Sequence, residues 1–195
     1  MELTPSMLLG AYCQGWFPMA DDDGTIGWYD PDPRTIIPLD GLHVSRSLAR
    51  RLRQGVFDVR CDTAFREVML GCAAPAPGRE TTWISDDLIE VYCDLHELGF
   101  AHSVETWCDG ELGGGVYGVS VRGLFAGESM FSRRTDASKV ALAHLVEHLN
   151  ERGYRLFDVQ FTTDHLKRLG ALEIPRAEYK DRLADALTRD ITFQP

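Results

Sequence analysis

The chain has no apolar run long enough to cross a membrane, since a spanning helix needs about 20 consecutive apolar residues. Its N-terminus, MELTPSMLLG, also lacks a basic segment followed by a long apolar core, so no signal peptide and a cytoplasmic location are expected. Cysteines are few and scattered: five, at 13, 61, 72, 93 and 108, with no CxxC pair. An odd, dispersed set suits free thiols rather than a disulfide framework or a zinc site. Excess positive charge is missing too. Twenty Lys and Arg face thirty Asp and Glu, a net charge of −10, which argues against a general nucleic-acid binder but leaves room for a local basic patch. His43, His102 and His165 show no metal-ligand spacing, and structural hydrogen bonding is their expected role.

What remains is an ordinary globular composition of 195 residues, 44% hydrophobic and 26% charged. That length allows one large domain, or a domain with a small appendage. Thr4-Pro5 starts a helix that Gly15 ends, with Thr4 as cap. A turn over 21–24 precedes Trp28-Tyr29, a rigid proline loop follows, and 35–39 reads as a strand. A basic helix over 45–53 carries Arg46, Arg50, Arg51 and Arg53. Residues 57–61 alternate as a strand, and Asp62 or Thr63 is expected to cap the next helix. A surface loop over 73–80 leads to a helix over 88–98, capped from Ser85 and stopped by Gly99. Three strands follow, over 102–108, 112–121 and 124–132, with turns at Asp109-Gly110 and Arg122-Gly123. A helix over 137–151, a strand over 155–161 and helices near 164–169 and 175–188 complete the chain. This is the order of an α+β, acetyltransferase-like (GNAT-like) fold, a mixed sheet with flanking helices. A small N-terminal lobe, 1–58, is expected to precede the catalytic domain, 59–195.

The most informative stretch is GLFAGESMFS, 123–132. It reads as a strand with an apolar wall of Leu124, Phe125, Met130 and Phe131, and one carboxylate, Glu128, in its middle. Such a carboxylate is costly to bury unless it is paired or binds something. It is either a salt-bridged structural residue or part of a site. In LFDVQ, 156–160, strand alternation puts Asp158 and Gln160 side by side. They form either a structural hydrogen-bonded pair or a device that holds an attacking amine. Acetyltransferase-like folds cradle a pyrophosphate on glycine-rich backbone before the long helix. The corresponding RRTDASK, 133–139, has no glycine and carries an acid, so acetyl-CoA binding is disfavoured. Arg133, Arg134 and Lys139 there could instead meet a nucleic-acid phosphate, or simply face solvent.

Glu128 in GESMFS is accompanied by WYDPDPR at 28–34, LHELGFAHSVE at 95–105 and FDVQFTTDHLKRLGALEIPR at 157–176. Together, in this order, they closely resemble leucyl/phenylalanyl-tRNA–protein transferases over about 12–179. The resemblance implies an enzyme that transfers Leu or Phe, with Met a further candidate, from aminoacyl-tRNA to a protein N-terminus. The acceptor would begin with Lys or Arg, and the product would carry an N-degron. Asp158, Gln160 and Glu128 are then the candidate catalytic residues. Trp28 and Trp83 match aromatics near the terminal adenosine, where stacking is physically reasonable. Val116, Phe125, Leu142, Leu145, Phe157 and Thr163 match the amino-acid pocket. Arg46, Arg50, Arg51, Arg53, Arg133 and Arg134 are the candidate tRNA contacts. No metal or soluble cofactor is expected, because the ester is already activated, and no membrane partner is expected. The N-terminal lobe is expected to be abbreviated relative to longer members. The competing readings are a CoA-dependent N-acyltransferase and a non-catalytic RNA-binding module.

Overall fold

Local capping chemistry sets most helix starts. In the computed structural model, which describes residues 3–21, 23–75 and 81–194, Thr4 accepts the Met7 N–H and opens α1 (Pro5–Cys13). The hairpin β1 (Phe17–Ala20) and β2 (Ile26–Tyr29) then leads into β3 (Arg34–Ile36). Ser45 caps α2 (Arg46–Gln54), which ends at left-handed Gly55. After β4 (Asp58–Cys61) come α3 (Phe65–Ala73) and α4 (Asp86–Glu97), the latter capped by Ser85. The hairpins of β5 (Ala101–Cys108), β6 (Glu111–Val121) and β7 (Leu124–Ser132) lead to α5 (Ala137–Arg152). The chain closes with β8 (Leu156–Gln160), α6 (Asp164–Arg168), β9 (Leu172–Ile174) and α7 (Arg176–Leu187). The β1–β2 pair and β9 were not anticipated from the sequence. Of the expected 73–80 loop, 76–80 lies outside the described residues, as does residue 22 of the 21–24 turn.

The start of α3 differs from the one expected, with no side-chain cap on its first turn. Neither the Asp62 nor the Thr63 side chain caps it. Glu105 on β5 reaches across instead, accepting the Thr63 and Ala64 N–H groups and the Thr63 hydroxyl, the last at 2.6 Å. Asp62 is engaged elsewhere, accepting the Ser103 N–H and pairing with His102.

The architecture is α+β. Seven strands lie in the order β4-β5-β6-β7-β8-β3-β9, antiparallel except for the parallel β7–β8 pair. Residues of α1, α3 and α4 pack with Tyr117 and Val119 against one face. Residues of α5 pack with Val116, Phe125 and Phe157 against the other. β3, from the expected N-terminal lobe, lies inside this sheet between β8 and β9, and Tyr12 and Phe17 belong to the first core. The expected apolar wall of β7 divides among three cores. Phe131 joins the first, Phe125 and Met130 the second, and Leu124 the third, because successive strand residues face opposite ways.

Two features open the sheet at its centre. β7 and β8 pair only at Leu124–Ala126 against Leu156–Asp158, so beyond Asp158 they no longer share hydrogen bonds. Between β6 and β7 the register jumps: Tyr117 faces Ser129, Gly118 faces Gly127, and Glu128 has no partner. Glu128 is the extra residue of a β-bulge, a device that re-aims side chains. Glycine is required there. A Cβ on Gly118 would stand 2.2 Å from the Ala126 carbonyl oxygen.

Candidate active site

A cavity of about 190 Å³ opens where β7 and β8 part. Its wall is mostly apolar: Val116, Met130, Leu142, Phe157, Val159 and Leu166, with Gly127, Glu128, Ser129 and Thr163 at its polar part. A strand normally shows alternate residues to one side. The bulge lets four consecutive ones, 127–130, reach the same cavity. A dry cavity of about 150 Å³ holds benzene, so this space is large enough for one apolar side chain.

Glu128 is the carboxylate of the cavity. One oxygen, Oε1, accepts the Tyr12 hydroxyl at 2.7 Å and the Gln160 side-chain amide at 3.0 Å. Behind Tyr12, the Tyr92 hydroxyl lies 2.5 Å away. Burial pushes the Glu128 carboxyl up to about 8, against the opposing pull of the Tyr12 hydrogen bond. The charge of Asp158 adds to the rise and that of Arg34 works against it. Near neutral pH the site therefore holds a proton that a cationic ligand could displace.

Asp158 is built differently. It is fully buried, and Arg34 clamps it with a two-pronged contact, Nε to Oδ1 at 2.9 Å and Nη2 to Oδ2 at 2.6 Å. The Tyr179 hydroxyl adds 3.0 Å to Oδ2, and the Gln160 N–H adds 3.0 Å to Oδ1. Four donors thus surround it. Arg34 lies between the rings of Phe17 and Tyr179, 4.8 and 4.4 Å from their centroids. Gln160 has a φ of +58, a left-handed backbone rare outside glycine. Asp158 therefore meets the Gln160 backbone, and the Gln160 side chain turns to Glu128. This corrects the simple side-by-side alternation, which holds only while the strand stays extended.

The structure gathers Glu128, Val116, Leu142, Phe157 and Thr163 at the cavity, and Gln160 reaches it only through its hydrogen bond to Glu128. Phe125 and Leu145 do not line it. Each is 1% exposed and packs in the core behind it, Phe125 edge-on to Phe157 at 5.8 Å. Trp28 lines a separate surface hollow with Met7, Gly10 and Trp16, and Trp83 another with Met19 and Thr82. Met130 and Leu166 were missed as lining residues. Met130 stood within GESMFS, but Leu166 had no distinguishing signal. The contributions of Tyr12, Tyr92, Arg34 and Tyr179 were likewise missed.

Arg46, Arg50 and Arg53 are exposed on α2 and Arg51 is partly so, and among the described residues none of the four forms an ion pair. Arg133 and Arg134 are more committed: Arg133 stacks over Phe131, and Arg134 pairs with Glu111 at 3.1 Å. Lys139 pairs with Asp136. Where a pyrophosphate would need free N–H groups, Ala137 donates to the Arg134 carbonyl and Ser138 to Ser132 Oγ. Asp62, His96 and His102 place potential metal ligands within 4.8 Å of one another. Their ring nitrogens already face acceptors: His96 Nδ1 the Ala101 carbonyl, His102 Nδ1 Asp62 and His102 Nε2 the Gly99 carbonyl. These contacts tie the cluster into the fold by hydrogen bonds, as expected for His102. Among the described residues no helix is long and apolar enough to cross a membrane.

Comparison with known proteins covers nearly the whole chain. The family model of the leucyl/phenylalanyl-tRNA protein transferase matches residues 36–184, and that of its N-terminal domain matches residues 1–32. A leucyl/phenylalanyl-tRNA–protein transferase of Herpetosiphon aurantiacus is 57% identical over 193 residues, 98% of either chain. One of Paramagnetospirillum magneticum is 54% identical over 193 residues, 98% of this chain and 92% of the relative. Among solved structures, L-PGS from Bacillus licheniformis is similar at 14% identity and a TM-score of 0.43, over 83% of this chain and 55% of that one. A likeness at that level carries no argument here.

Proposed function

Because the chain belongs to the leucyl/phenylalanyl-tRNA protein transferase family, we propose that it moves leucine or phenylalanine from aminoacyl-tRNA to a protein's N-terminal amine. The observation that carries this reading is the 190 Å³ apolar cavity with Glu128 on its rim and Gln160 3.0 Å from Glu128. The amino-acid side chain fills the cavity. Its α-ammonium faces Glu128, which gives up its proton to form a charge-assisted hydrogen bond. Gln160, an amide and no base, offers its side-chain oxygen to the incoming amine and holds it at the ester carbonyl. The carbon–nitrogen bond forms, the bond to the ribose oxygen breaks, and that oxygen leaves as a hydroxyl with the proton the amine nitrogen loses. Holding both reactants in line supplies most of what an already activated ester needs.

Trp28 and Trp83, both partly exposed beside the N-terminal hairpin, are the stacking partners for the terminal adenosine in this reading. The unpaired arginines of α2 take the tRNA backbone, with Arg133 and Arg134 as lesser contacts. The acceptor begins with Lys or Arg, methionine is a further donor, and the product is an N-degron in the cytoplasm. The parting of β7 and β8 beside a long helix supports an acetyltransferase-like ancestry for the fold. Against the CoA reading stand the N–H groups of Ala137 and Ser138, already spent on internal acceptors.

The test is transfer of radiolabelled leucine and phenylalanine from charged tRNA to peptides beginning with Arg, Lys, Asp or Glu. Label on Arg and Lys peptides, lost in Glu128→Ala and Gln160→Ala, is the expected result. Label only on Asp or Glu peptides would overturn the acceptor assignment. Binding of tRNA without transfer would favour the RNA-binding module.

A further inference from the structure

Glu128 and Gln160 meet, yet neither strand geometry nor local propensity explains why. Gln160 closes β8 in a left-handed backbone that a residue with a Cβ adopts only when its surroundings impose it. Chief among those surroundings is a buried carboxylate, Asp158. Asp158 Oδ1 takes the Gln160 N–H at 3.0 Å, and this contact needs the Asp158 carboxylate held in one orientation. Arg34 holds it. Its Nε and Nη2 fix both oxygens, its Nη1 is anchored on the Gly15 carbonyl at 2.9 Å, and Phe17 and Tyr179 enclose its plane. Arg34 is 0% exposed and lies on β3, whose Thr35 pairs with Gln160 itself. Tyr179, from α7, braces the other oxygen.

We infer that Arg34, seconded by Tyr179, is the positioning residue of the transfer reaction. It acts through Asp158 on the Gln160 backbone and so aims the Gln160 amide at Glu128 on the cavity wall. The inference rests on the proposed transferase reading for its kinetics but not for its geometry. Arg34 is out of reach of the cavity, among whose lining residues it does not figure. It therefore governs the placement of a reacting group and not the affinity for the aminoacyl side chain.

Arg34→Lys tests this, because it keeps the charge and loses the planar fork. A misplaced reacting group can cost about 100-fold in rate, so kcat should fall by about that factor with KM for leucyl-tRNA within about twofold. Placed on Gln160→Ala, the same change should cost little more, since its target is already gone. Tyr179→Phe, which keeps the ring over Arg34, should lower kcat several-fold in the same pattern and serves if Arg34→Lys folds poorly. NMR signals of the Gln160 side-chain amide, identified by their loss in Gln160→Ala, should move in Arg34→Lys and in Tyr179→Phe. Losses that multiply on the Gln160→Ala background would overturn the inference. So would unmoved Gln160 amide signals, which can be read without any activity. An inactive wild type with moved signals would sink the transferase reading while leaving the positioning intact.

Discussion

Glu128 and Asp158 are carboxylates on neighbouring strands, and their environments separate them completely. Asp158 receives four donors, two from a guanidinium, and touches no open space. Glu128 receives one hydroxyl and one amide, faces an apolar cavity, and is pushed up to about 8. The first is a saturated anion that fixes geometry. The second holds a proton in readiness for a cation. The contrast teaches that an acid's role follows from its partners and solvation, not from its place in a motif.

Removing the charge of Asp158 should have the largest effect on stability. Asp158→Asn leaves Arg34 buried without its counter-ion, a loss that typically costs about 3–5 kcal/mol. Urea unfolding should show it as a lower midpoint. An unchanged midpoint would mean that Asp30, 3.7 Å from Arg34, takes over the pairing. Glu128→Gln should behave in the opposite way. It gives up a charge-assisted hydrogen bond to the α-ammonium, about 10- to 100-fold in transfer, with little loss of stability. Equal destabilisation by the two variants would erase the comparison.

Glu128 also gives the fold a pH response. Glu128 is raised in the fold, so its stabilising contribution is full below the unfolded value near 4.5 and fades as pH rises through about 8. Wild-type stability should therefore decline across that window more steeply than that of Glu128→Gln. A ligand ammonium lowers the Glu128 pKa, so binding at pH 7 should release up to about one proton. Calorimetry in buffers of different ionisation enthalpy, with adenosine carrying leucine in amide linkage, should detect it, and Glu128→Gln should abolish it. Further from the two acids, Leu142→Phe narrows the cavity. It should cut phenylalanine transfer about 10- to 100-fold more than leucine transfer, the scale on which apolar pockets discriminate. The smallest effect belongs to α2. Arg50→Ala should weaken tRNA binding modestly and lower the salt slope by about one unit, leaving kcat unchanged at saturation.

Much of this was legible in the sequence, for local reasons. Thr4, Ser85 and left-handed Gly99 act within a few residues of themselves, and their helices begin and end where they say. Glu128 stood out as a charge among aromatics. Other features were not legible. The stripe containing Leu142 and Leu145 reads the same whether a residue lines a cavity or lies behind it, and only one of the two reaches the open space. The hold on Thr63 and Ala64 just before α3 comes from Glu105, about 40 residues away, so no local pattern could announce it.

The sequence by itself determined most of the helices and central strands, several of their caps and turns, the family, and Glu128, Asp158 and Gln160 as site candidates. Those depend on backbone preferences, side-chain period and motifs contained in short segments. Only the tertiary structure decided which carboxylate is saturated and which is poised. That choice depends on Arg34 meeting Asp158 across 124 residues, on β3 entering the sheet beside β8, and on a bulge that turns Glu128 into the cavity. Burial and partner charge set the protonation of an acid, and both exist only once distant segments have packed.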